Sequence, residues 1–271
     1  MRCKVFVHAI MVVSCLATIF PLLWMVSTSF KAPDDIFTPV ITLLPPQPTL
    51  GNYQKAWELT PLGKYMRNSA LASLVIMASQ TLTSLLAAYG FARHRFPGRE
   101  VLFALFLGTM IVPIHVVMIP NYILVSRLGW IDTLAALIVP QLSSAFGVFM
   151  LRQHLLTLPK ELFDAAAIDG AGSWRVLWQI VVPVIRPAVS ALAILFFLNA
   201  WNQYFWPLLV LTKPEVQTIP LGLQRFASIE AGTAWGPLMA VATAASVPAL
   251  VVYLVAQRHI ISSFVTSGLK G

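Results

Sequence analysis

The sequence predicts an all-α membrane protein with six transmembrane helices. Hydrophobic residues make up 58% of its 271 residues and charged residues only 10%, with a mean hydropathy of +0.79. Globular domains in water carry about 25% charged residues, so this chain has too little polar surface for that class. Its apolar stretches continue for about twenty residues without the alternation of a membrane barrel, and a helix of that length crosses the hydrocarbon.

Six apolar runs are long enough to span a bilayer, and each is predicted to form a transmembrane helix. The first run follows a basic head but continues past Trp24 without a small-residue cleavage site, which favours a retained span over a signal peptide. We expect a single transmembrane domain over residues 1–271. The predicted spans cover about residues 9–30, 68–91, 101–126, 133–151, 187–212 and 234–257.

The basic residues predict the orientation of the spans. With both termini in the cytoplasm, eleven Lys and Arg residues lie inside and seven outside, as the positive-inside rule prefers. The net charge of +8 is scattered between apolar runs and forms no patch, so membrane lipid is an expected partner and nucleic acid is not. Cys3 lies in a basic head and Cys15 in an apolar run, and no disulfide is expected.

The six predicted spans contain no Asp, Glu, Lys or Arg. Ion-coupled carriers normally need intramembrane charges, so this absence argues against such a carrier. A secondary solute carrier is nevertheless the alternative from a different class. His115 lies within a span, where a packing role is more common than proton transfer. The sequence has no phosphate-loop motif and no His, Cys or carboxylate cluster in the spans. We therefore expect no catalytic residues, no metal ligands and no ATP hydrolysis by this chain.

Proline and polar residues interrupt the apolar runs. Four span prolines are expected to mark helix kinks or ends: Pro113, Pro120, Pro140 and Pro248. A second group of polar residues either lines a pathway or forms hydrogen bonds between helices: Gln80, Asn121, Gln141, Ser143 and Ser144. The external loop over residues 31–67 is expected to be irregular but ordered, and a later one carries an amphipathic stretch over residues 221–229.

The loop over residues 152–186 is predicted to be cytoplasmic and to contain two short helices. Pro159 suits the first turn of a helix of about eleven residues, and Gly170 suits its left-handed end. Ser173 is expected to cap the second helix, which breaks near Pro183 and Pro187. Three consecutive alanines, residues 165–167, are expected to leave one face of the first helix open for docking.

This loop resembles that of the permease subunits of ATP-binding-cassette importers. Their signature is Glu-Ala-Ala, three residues, Gly, nine residues, Ile, one residue, Leu-Pro. The matching residues here are Asp164, Ala165, Ala166, Gly170, Ile180 and Pro183, with Asp164 in place of Glu and Val182 in place of Leu. Asp169 belongs to the common Asp-Gly-Ala core. The resemblance implies a type I importer fold in which Asp164, Ala165, Ala166, Asp169 and Gly170 form a coupling helix that docks on an ATPase.

Over almost the whole chain, the sequence resembles the six-span carbohydrate permeases of the maltose-transporter type. The motifs are Ser29-Phe30-Lys31, Gly51-Asn52-Tyr53, Trp201-Asn202, Trp235-Gly236 and Gln257-Arg258. The resemblance implies a bacterial inner-membrane importer of a sugar or polyol. Its partners would be a second permease subunit, two ATPases that bind ATP and Mg²⁺, and an external substrate-binding protein. A glycerol-phosphate permease is the alternative within the family, and a membrane-embedded enzyme ranks third.

A polar cluster in the fifth predicted span is the candidate substrate pathway. It consists of Asn199, Trp201, Asn202, Gln203 and Tyr204. Amides offer both donors and acceptors to hydroxyl groups, and a ring can stack on the apolar face of a sugar. Packing between helices is the competing interpretation of the same residues, and it is the stronger one for Asn202 and Trp201.

The charge distribution generates a prediction about topology. Reporter fusions after Phe37 and Val216 are expected to report the outside, and fusions after Gly98 and Gly172 the cytoplasm. Paired phosphatase and fluorescent-protein reporters measure both locations. An outside signal after Gly172 would contradict the assignment, because the loop over residues 152–186 would then be unable to reach an ATPase.

Overall fold

The computed structural model describes residues 2–38, 42–227 and 233–268, and these residues form α-helices joined by short turns and loops. The helical prediction is confirmed in this part of the chain. The helices are α1 (Arg2–Ser29), α2 (Gly51–Leu59), α3 (Leu62–Arg93), α4 (Arg99–Gly108), α5 (Ile114–Arg127), α6 (Leu134–Ile138), α7 (Ala145–Leu156), α8 (Lys160–Ile168), α9 (Ser173–Arg175), α10 (Val182–Val184), α11 (Arg186–Trp201), α12 (Phe205–Val210), α13 (Ile219–Phe226) and α14 (Trp235–Gly268).

Four helical segments of the described chain are long and apolar enough to cross a bilayer by themselves. They overlap the first, second, fourth and sixth predicted spans. Two further pairs of helices reach the necessary length together but are sharply bent, which allows up to six spans in total. The four segments are Lys4–Ser29, Leu62–Arg93, Leu134–Leu156 and Trp235–Val255.

The third predicted span is two helices rather than one. The axes of α4, with its 3₁₀ turn Thr109–Ile111, and of α5 meet at 97°. Pro113 has no N–H, and its ring disfavours helical backbone at the preceding residue. Val112 is accordingly extended, with φ −74° and ψ 120°. Pro113 was expected to mark a kink or an end of a helix, and it lies where one helix ends and the next begins.

The fifth predicted span is also interrupted. The helix α11 ends at Trp201, and the chain becomes helical again only at Phe205, where α12 begins. Pro207 explains the gap, because a proline ring collides with the carbonyl four residues earlier in a continuous helix, here that of Gln203. In the first turn of α12 the same proline is tolerated. At the other end, α11 meets the preceding segment Ser173–Val184 at 82°.

The chain divides into two compact units, Met1–Met66 with Gln217–Pro248, and Arg67–Val216 with Ala249–Gly271. In the first unit, Asn52 fastens α2 to the end of α1. Its Nδ2 donates to the carbonyl oxygens of Ser29 at 3.0 Å and Lys31 at 2.7 Å. Tyr53 adds a hydroxyl contact of 2.9 Å with Ser29 Oγ. The external loop thus contains a regular helix, α2, which the sequence did not predict.

Gly236 lets α14 approach this junction in the first unit. A Cβ at Gly236 would collide with the side-chain amide of Asn52, so only glycine fits. Three motifs that are far apart in sequence therefore meet at one buried amide, since Asn52 is 2% exposed. The predicted amphipathic stretch forms α13, where Ile219 and Leu223 pack with Tyr65. Its predicted last residues, 228 and 229, lie outside the described residues.

The second unit has a core made by α3, α7, α8 and α11. Its buried side chains include Leu85, Leu151, Phe163 and Phe196. Gly147 allows the close packing, because a Cβ there would collide with Ser84 Oγ and press on the Phe196 ring. The short helix α8 therefore belongs to the same core as the apolar helices of this unit.

The junction at Asn52 generates a prediction about stability. Replacing Asn52 with alanine leaves two carbonyls without their donor, and we expect a loss of about 2 kcal/mol or more. Gly236→Ala is expected to have a similar effect through the collision. Thermal unfolding in detergent measures both. Gln54→Ala, on the exposed side of α2, is the matched control, and equal midpoints for Asn52→Ala and Gln54→Ala would contradict the role assigned to Asn52.

Candidate functional site

A cavity of about 340 Å³ lies in the second unit, where three helical segments are interrupted. It borders the break at Pro113, the 3₁₀ turn before α7 and the gap between α11 and α12. Thirteen residues line it, and none of them is charged: Thr109, Met110, Val112, Ile114, Val117, Met118, Asn121, Pro140, Gln141, Ala145, Phe146, Gln203 and Trp206. Backbone can leave the helical path at membrane depth only where it is buried in protein or lines a cavity, and this arrangement meets that condition.

Pro140 explains one interruption and the side chain that compensates for it. In a continuous helix, the N–H of residue 140 would donate to the carbonyl of Ala136, but proline has no N–H. The indole Nε1 of Trp206 donates to that carbonyl instead, at 3.1 Å. Both residues are buried, since Ala136 is 0% and Trp206 4% exposed. Trp206 therefore replaces a lost helical hydrogen bond.

Other side chains form hydrogen bonds with backbone groups, or with each other, at this break. Gln80 Nε2 donates to the carbonyl of Gln141 at 2.8 Å, and Thr83 Oγ1 donates to that of Leu142 at 3.1 Å. The side chains of Gln141 and Gln203 pair with each other through bonds of 2.9 and 3.0 Å. Ser144 caps α7 by accepting from the N–H of Gly147 at 3.2 Å. For Gln80 and Gln141, the structure shows hydrogen bonds between segments.

The five predicted pathway residues occupy different environments. Gln203 lines the cavity, whereas Trp201 is 4% exposed and stacks on Phe197 at 5.7 Å. Asn202 is exposed and donates to the carbonyl of Leu198, four residues earlier in its own helix, at 2.8 Å. Asn199 is exposed on α11, and the ring of Tyr204 meets that of Phe205 edge-on. The structure therefore brings Gln203, and not the whole cluster, to the cavity.

Sequence reasoning did not identify Trp206 as a cavity residue. The available signal was Pro140, which leaves the Ala136 carbonyl in need of a donor. The donor is 70 residues away in sequence, so no local pattern identified it. Asn121, by contrast, was one of the polar residues considered for a pathway, and it lines the cavity.

The first helix of the loop over residues 152–186 is α8, which ends in a Schellman motif. Gly170 is left-handed at φ +69°, and its N–H donates to the carbonyl of Ala167. The N–H of Ala171 donates to the carbonyl of Ala166 at 2.9 Å, which completes the motif. Glycine is therefore required by backbone conformation here, since a Cβ at this position would meet no atom within 4 Å.

The three alanines of α8 do not share a face. Consecutive helical residues are about 100° apart, so Ala166 points into the core at 3% exposure while Ala165 and Ala167 are exposed. This corrects the expectation of a single small-residue face. The exposed side carries Asp164, Asp169 and the 87% exposed side chain of Ile168.

The second helical part of the loop also differs from expectation. Gly172 occupies the N-cap position of α9, and no side-chain capping bond forms there. Ser173 is the first residue of the helix, and its hydroxyl lies within hydrogen-bond distance of Tyr89 and His94. A π-helical segment, Val176–Val181, joins α9 to α10, and the chain breaks at Ile185 as the two prolines predict.

Asp132 clamps the segment after α5 to the end of α12. Its carboxylate accepts from the N–H groups of Thr212 at 2.6 Å and Lys213 at 2.9 Å. Burial raises the pKa of Asp132, but hydrogen bonds from Lys213 and Thr212 and the charge of Lys213 outweigh it, so the pKa is lowered. The clamp is therefore complete above the ordinary pKa of aspartate and weakens as the pH falls through the lowered value.

The contact between Trp206 and Ala136 generates a prediction. Trp206→Phe leaves a buried carbonyl without a donor, and we expect a loss of about 1–3 kcal/mol. Pro140→Ala restores an N–H at the position that would serve the same carbonyl. In the Pro140→Ala background, Trp206→Phe is therefore expected to cost less, and thermal unfolding of the four proteins measures the difference. An equal cost in both backgrounds would show that Trp206 acts by packing alone.

Comparisons with known proteins agree with this architecture. Residues 80–265 match the family described as binding-protein-dependent transport system inner membrane component. An sn-glycerol-3-phosphate transport system permease protein of Agrobacterium fabrum is 33% identical over 270 residues, covering 97% of this chain and 96% of the relative. An arabinooligosaccharides transport system permease protein of Halalkalibacterium halodurans is 34% identical over 258 residues, covering 93% and 91%.

A solved structure shares the fold. It is a bacterial ABC transporter involved in the import of the acidic polysaccharide alginate, with a TM-score of 0.83 and 20% identity, covering 96% of this chain and 97% of that one. The all-α membrane fold predicted from the sequence is confirmed. Because the family match covers more than half of the chain and the relatives align over nearly all of it, the chain belongs to the binding-protein-dependent transport system inner membrane components.

Proposed function

We propose that this chain is a permease subunit of a bacterial ATP-binding-cassette importer and that it passes a neutral, hydroxylated solute such as a sugar or polyol. The observation that carries the proposal is the uncharged cavity at the broken helices, with amides of Gln141, Gln203 and Asn121 in its lining. Amides can both donate to and accept from hydroxyl groups. The apolar remainder of the lining suits the C–H faces of a sugar ring.

A phosphate ester is the second candidate substrate. Two observations favour it. One relative is named as an sn-glycerol-3-phosphate transport system permease protein. The first residues of α5 and α7, Ile114 and Ala145, line the cavity. Helix N-termini attract anions, but each contributes only about 0.3–1 kcal/mol at an exposed site. Burying an unpaired phosphate charge costs far more than this, and no Lys or Arg lines the cavity. The balance favours a neutral solute.

The loop over residues 152–186 is proposed to couple this subunit to an ATPase. The exposed side of α8 presents Asp164, Ala165 and Asp169 beside Ile168, and Gly170 sets the turn that follows. The side chain of Ile168 is 87% exposed, so it is accessible to a docked partner. ATP and Mg²⁺ would be bound by the ATPase partners, and this subunit would carry no catalytic residue.

The assembly proposed around this chain contains four further protein chains. A second permease subunit forms a heterodimer with it, two ATPases lie on the cytoplasmic side, and an external binding protein delivers the solute. ATP-driven closure of the ATPases moves α8, the helices open outward, and hydrolysis resets them. Both termini are proposed to be cytoplasmic in the inner membrane.

Uptake by the reconstituted complex tests this function. Proteoliposomes that contain this chain, its partner permease and both ATPases are expected to import solute only with internal ATP and the loaded binding protein. Collapsing the proton gradient with an uncoupler is expected to leave uptake intact. Uptake that needs an ion gradient and no ATP would instead identify a secondary carrier.

Gln203→Glu tests the substrate class. It adds a negative charge to the cavity lining, where a nearby anion is repelled strongly because the surroundings screen poorly. For a neutral solute, uptake is expected to remain within about threefold of wild type, and for a phosphate ester to fall by about tenfold or more, a difference of roughly 1.4 kcal/mol. Asn199→Asp, on the exposed side of α11, is the control. Glutamate also removes the bond from Gln203 Nε2 to Gln141, so uptake is compared at equal amounts of assembled complex that hydrolyses ATP. Under that condition, a tenfold loss for Gln203→Glu alone would favour the phosphate ester.

A further inference from the structure

The C-terminal end of α3 contacts the loop over residues 152–186 on both sides of its glycine turn. One contact is made with α8, before Gly170, and the others with α9, after Gly172. All of these residues belong to the second unit. A displacement of the loop would therefore carry the end of α3 with it, or else would break several contacts at once.

The contact with α8 is a cation–π interaction. The guanidinium carbon of Arg93 lies 3.5 Å from the centre of the Phe163 ring. Phe163 is 6% exposed and belongs to the core, whereas Arg93 is exposed. The arginine thus covers the outer face of a ring that is fixed from the inside. Such pairs depend on the charge of the cation and on the electrons of the ring, so they distinguish between otherwise similar substitutions.

The contact with α9 is a chain of hydrogen-bonding groups. The hydroxyl of Tyr89 donates to the carbonyl of Ser173 at 3.3 Å. The hydroxyl of Ser173 lies 3.4 Å from Tyr89 Oη and 3.3 Å from His94 Nε2. The Tyr89 and His94 rings meet edge-on at 5.7 Å. Ser173 is thus held by Tyr89 of α3 and by His94, the residue that follows this helix.

The same helix α3 reaches the broken segment at the cavity. Gln80 and Thr83 donate to the carbonyls of Gln141 and Leu142, which lie at the end of the 3₁₀ turn before α7. From Gln80 to Arg93 a continuous helix extends about 20 Å, at about 1.5 Å per residue. One rigid element therefore touches the loop at one end and holds the cavity wall at the other.

We propose that α3 transmits movement of the coupling loop to the cavity, with Arg93, Tyr89 and His94 as positioning residues that grip the loop. This inference rests on the proposed function, because it assumes that an ATPase moves α8. It assigns the transmission to a specific helix and to the Arg93–Phe163 pair. The residues named do not touch the solute, and they act by holding α8 and α9 to α3.

The test measures how strongly the loaded binding protein stimulates ATP hydrolysis by equal amounts of assembled complex in nanodiscs. Arg93→Met and Phe163→Leu each remove one half of the cation–π pair and are expected to lower the stimulation by about two- to fivefold. Arg93→Lys and Phe163→Tyr keep a cation and a ring, and they are expected to retain most of it. Arg95→Met, an exposed arginine two residues away, is the control.

The double variant Arg93→Met/Phe163→Leu shows whether the two residues act through one contact. We expect the double variant to be stimulated as strongly as the weaker of the two single variants, because the second substitution removes no further interaction. Losses that multiply would overturn the proposed pair. An unchanged stimulation ratio with less assembled complex would also overturn it, since that is the result for a merely structural role.

Stimulation of the wild-type complex by the loaded binding protein distinguishes failure of the proposed function from failure of the transmission by α3. If it is stimulated by the loaded binding protein while Arg93→Met behaves like Arg95→Met, the proposed function stands and the transmission by α3 is wrong. If the wild-type complex is not stimulated by any loaded binding protein, the proposed function and the transmission that rests on it both fail.

Discussion

The structure depends on the requirement that peptide groups at membrane depth find hydrogen-bond partners within the protein. A continuous helix meets this requirement by itself. Helices are interrupted, however, at three prolines: Pro113, Pro140 and Pro207. Where the helices break, neighbouring side chains supply the missing donors. Trp206 donates to the Ala136 carbonyl, for which Pro140 has no N–H. The amide of Gln80 and the hydroxyl of Thr83, both in α3, donate to the carbonyls of Gln141 and Leu142. The cavity is a consequence of these compensated breaks.

This requirement also explains why polar residues in the apolar segments serve two purposes. Gln141 pairs with Gln203, and its backbone carbonyl accepts from Gln80, so it holds three segments together. The same side chains of Gln141 and Gln203 line the cavity. A cavity lining with uncharged amides thus costs the fold little, because those amides already form hydrogen bonds that join the segments. Charged groups would add a desolvation cost with no such return in stability.

The loop over residues 152–186 and the cavity are parts of one packed unit. The helix α8 contributes Phe163 to the same core as α3, α7 and α11, and its left-handed end at Gly170 directs the chain toward Ser173. Well-packed interiors transmit displacement because they have few voids to absorb it. The first unit is built differently, around the buried amide of Asn52, which joins three separate motifs.

The sequence alone determined the fold class, the family and the position of the loop, because these follow from the length of apolar runs and from short spaced motifs. It also predicted that Pro113 marks a kink or an end of a helix and that Gly170 ends one, since both effects are local. Tertiary structure decided which polar residues reach the cavity. Gln203 faces it and Trp201 does not, and Trp206 meets a carbonyl 70 residues away. Such pairings depend on how helices pack, and no local pattern in one sequence encodes them.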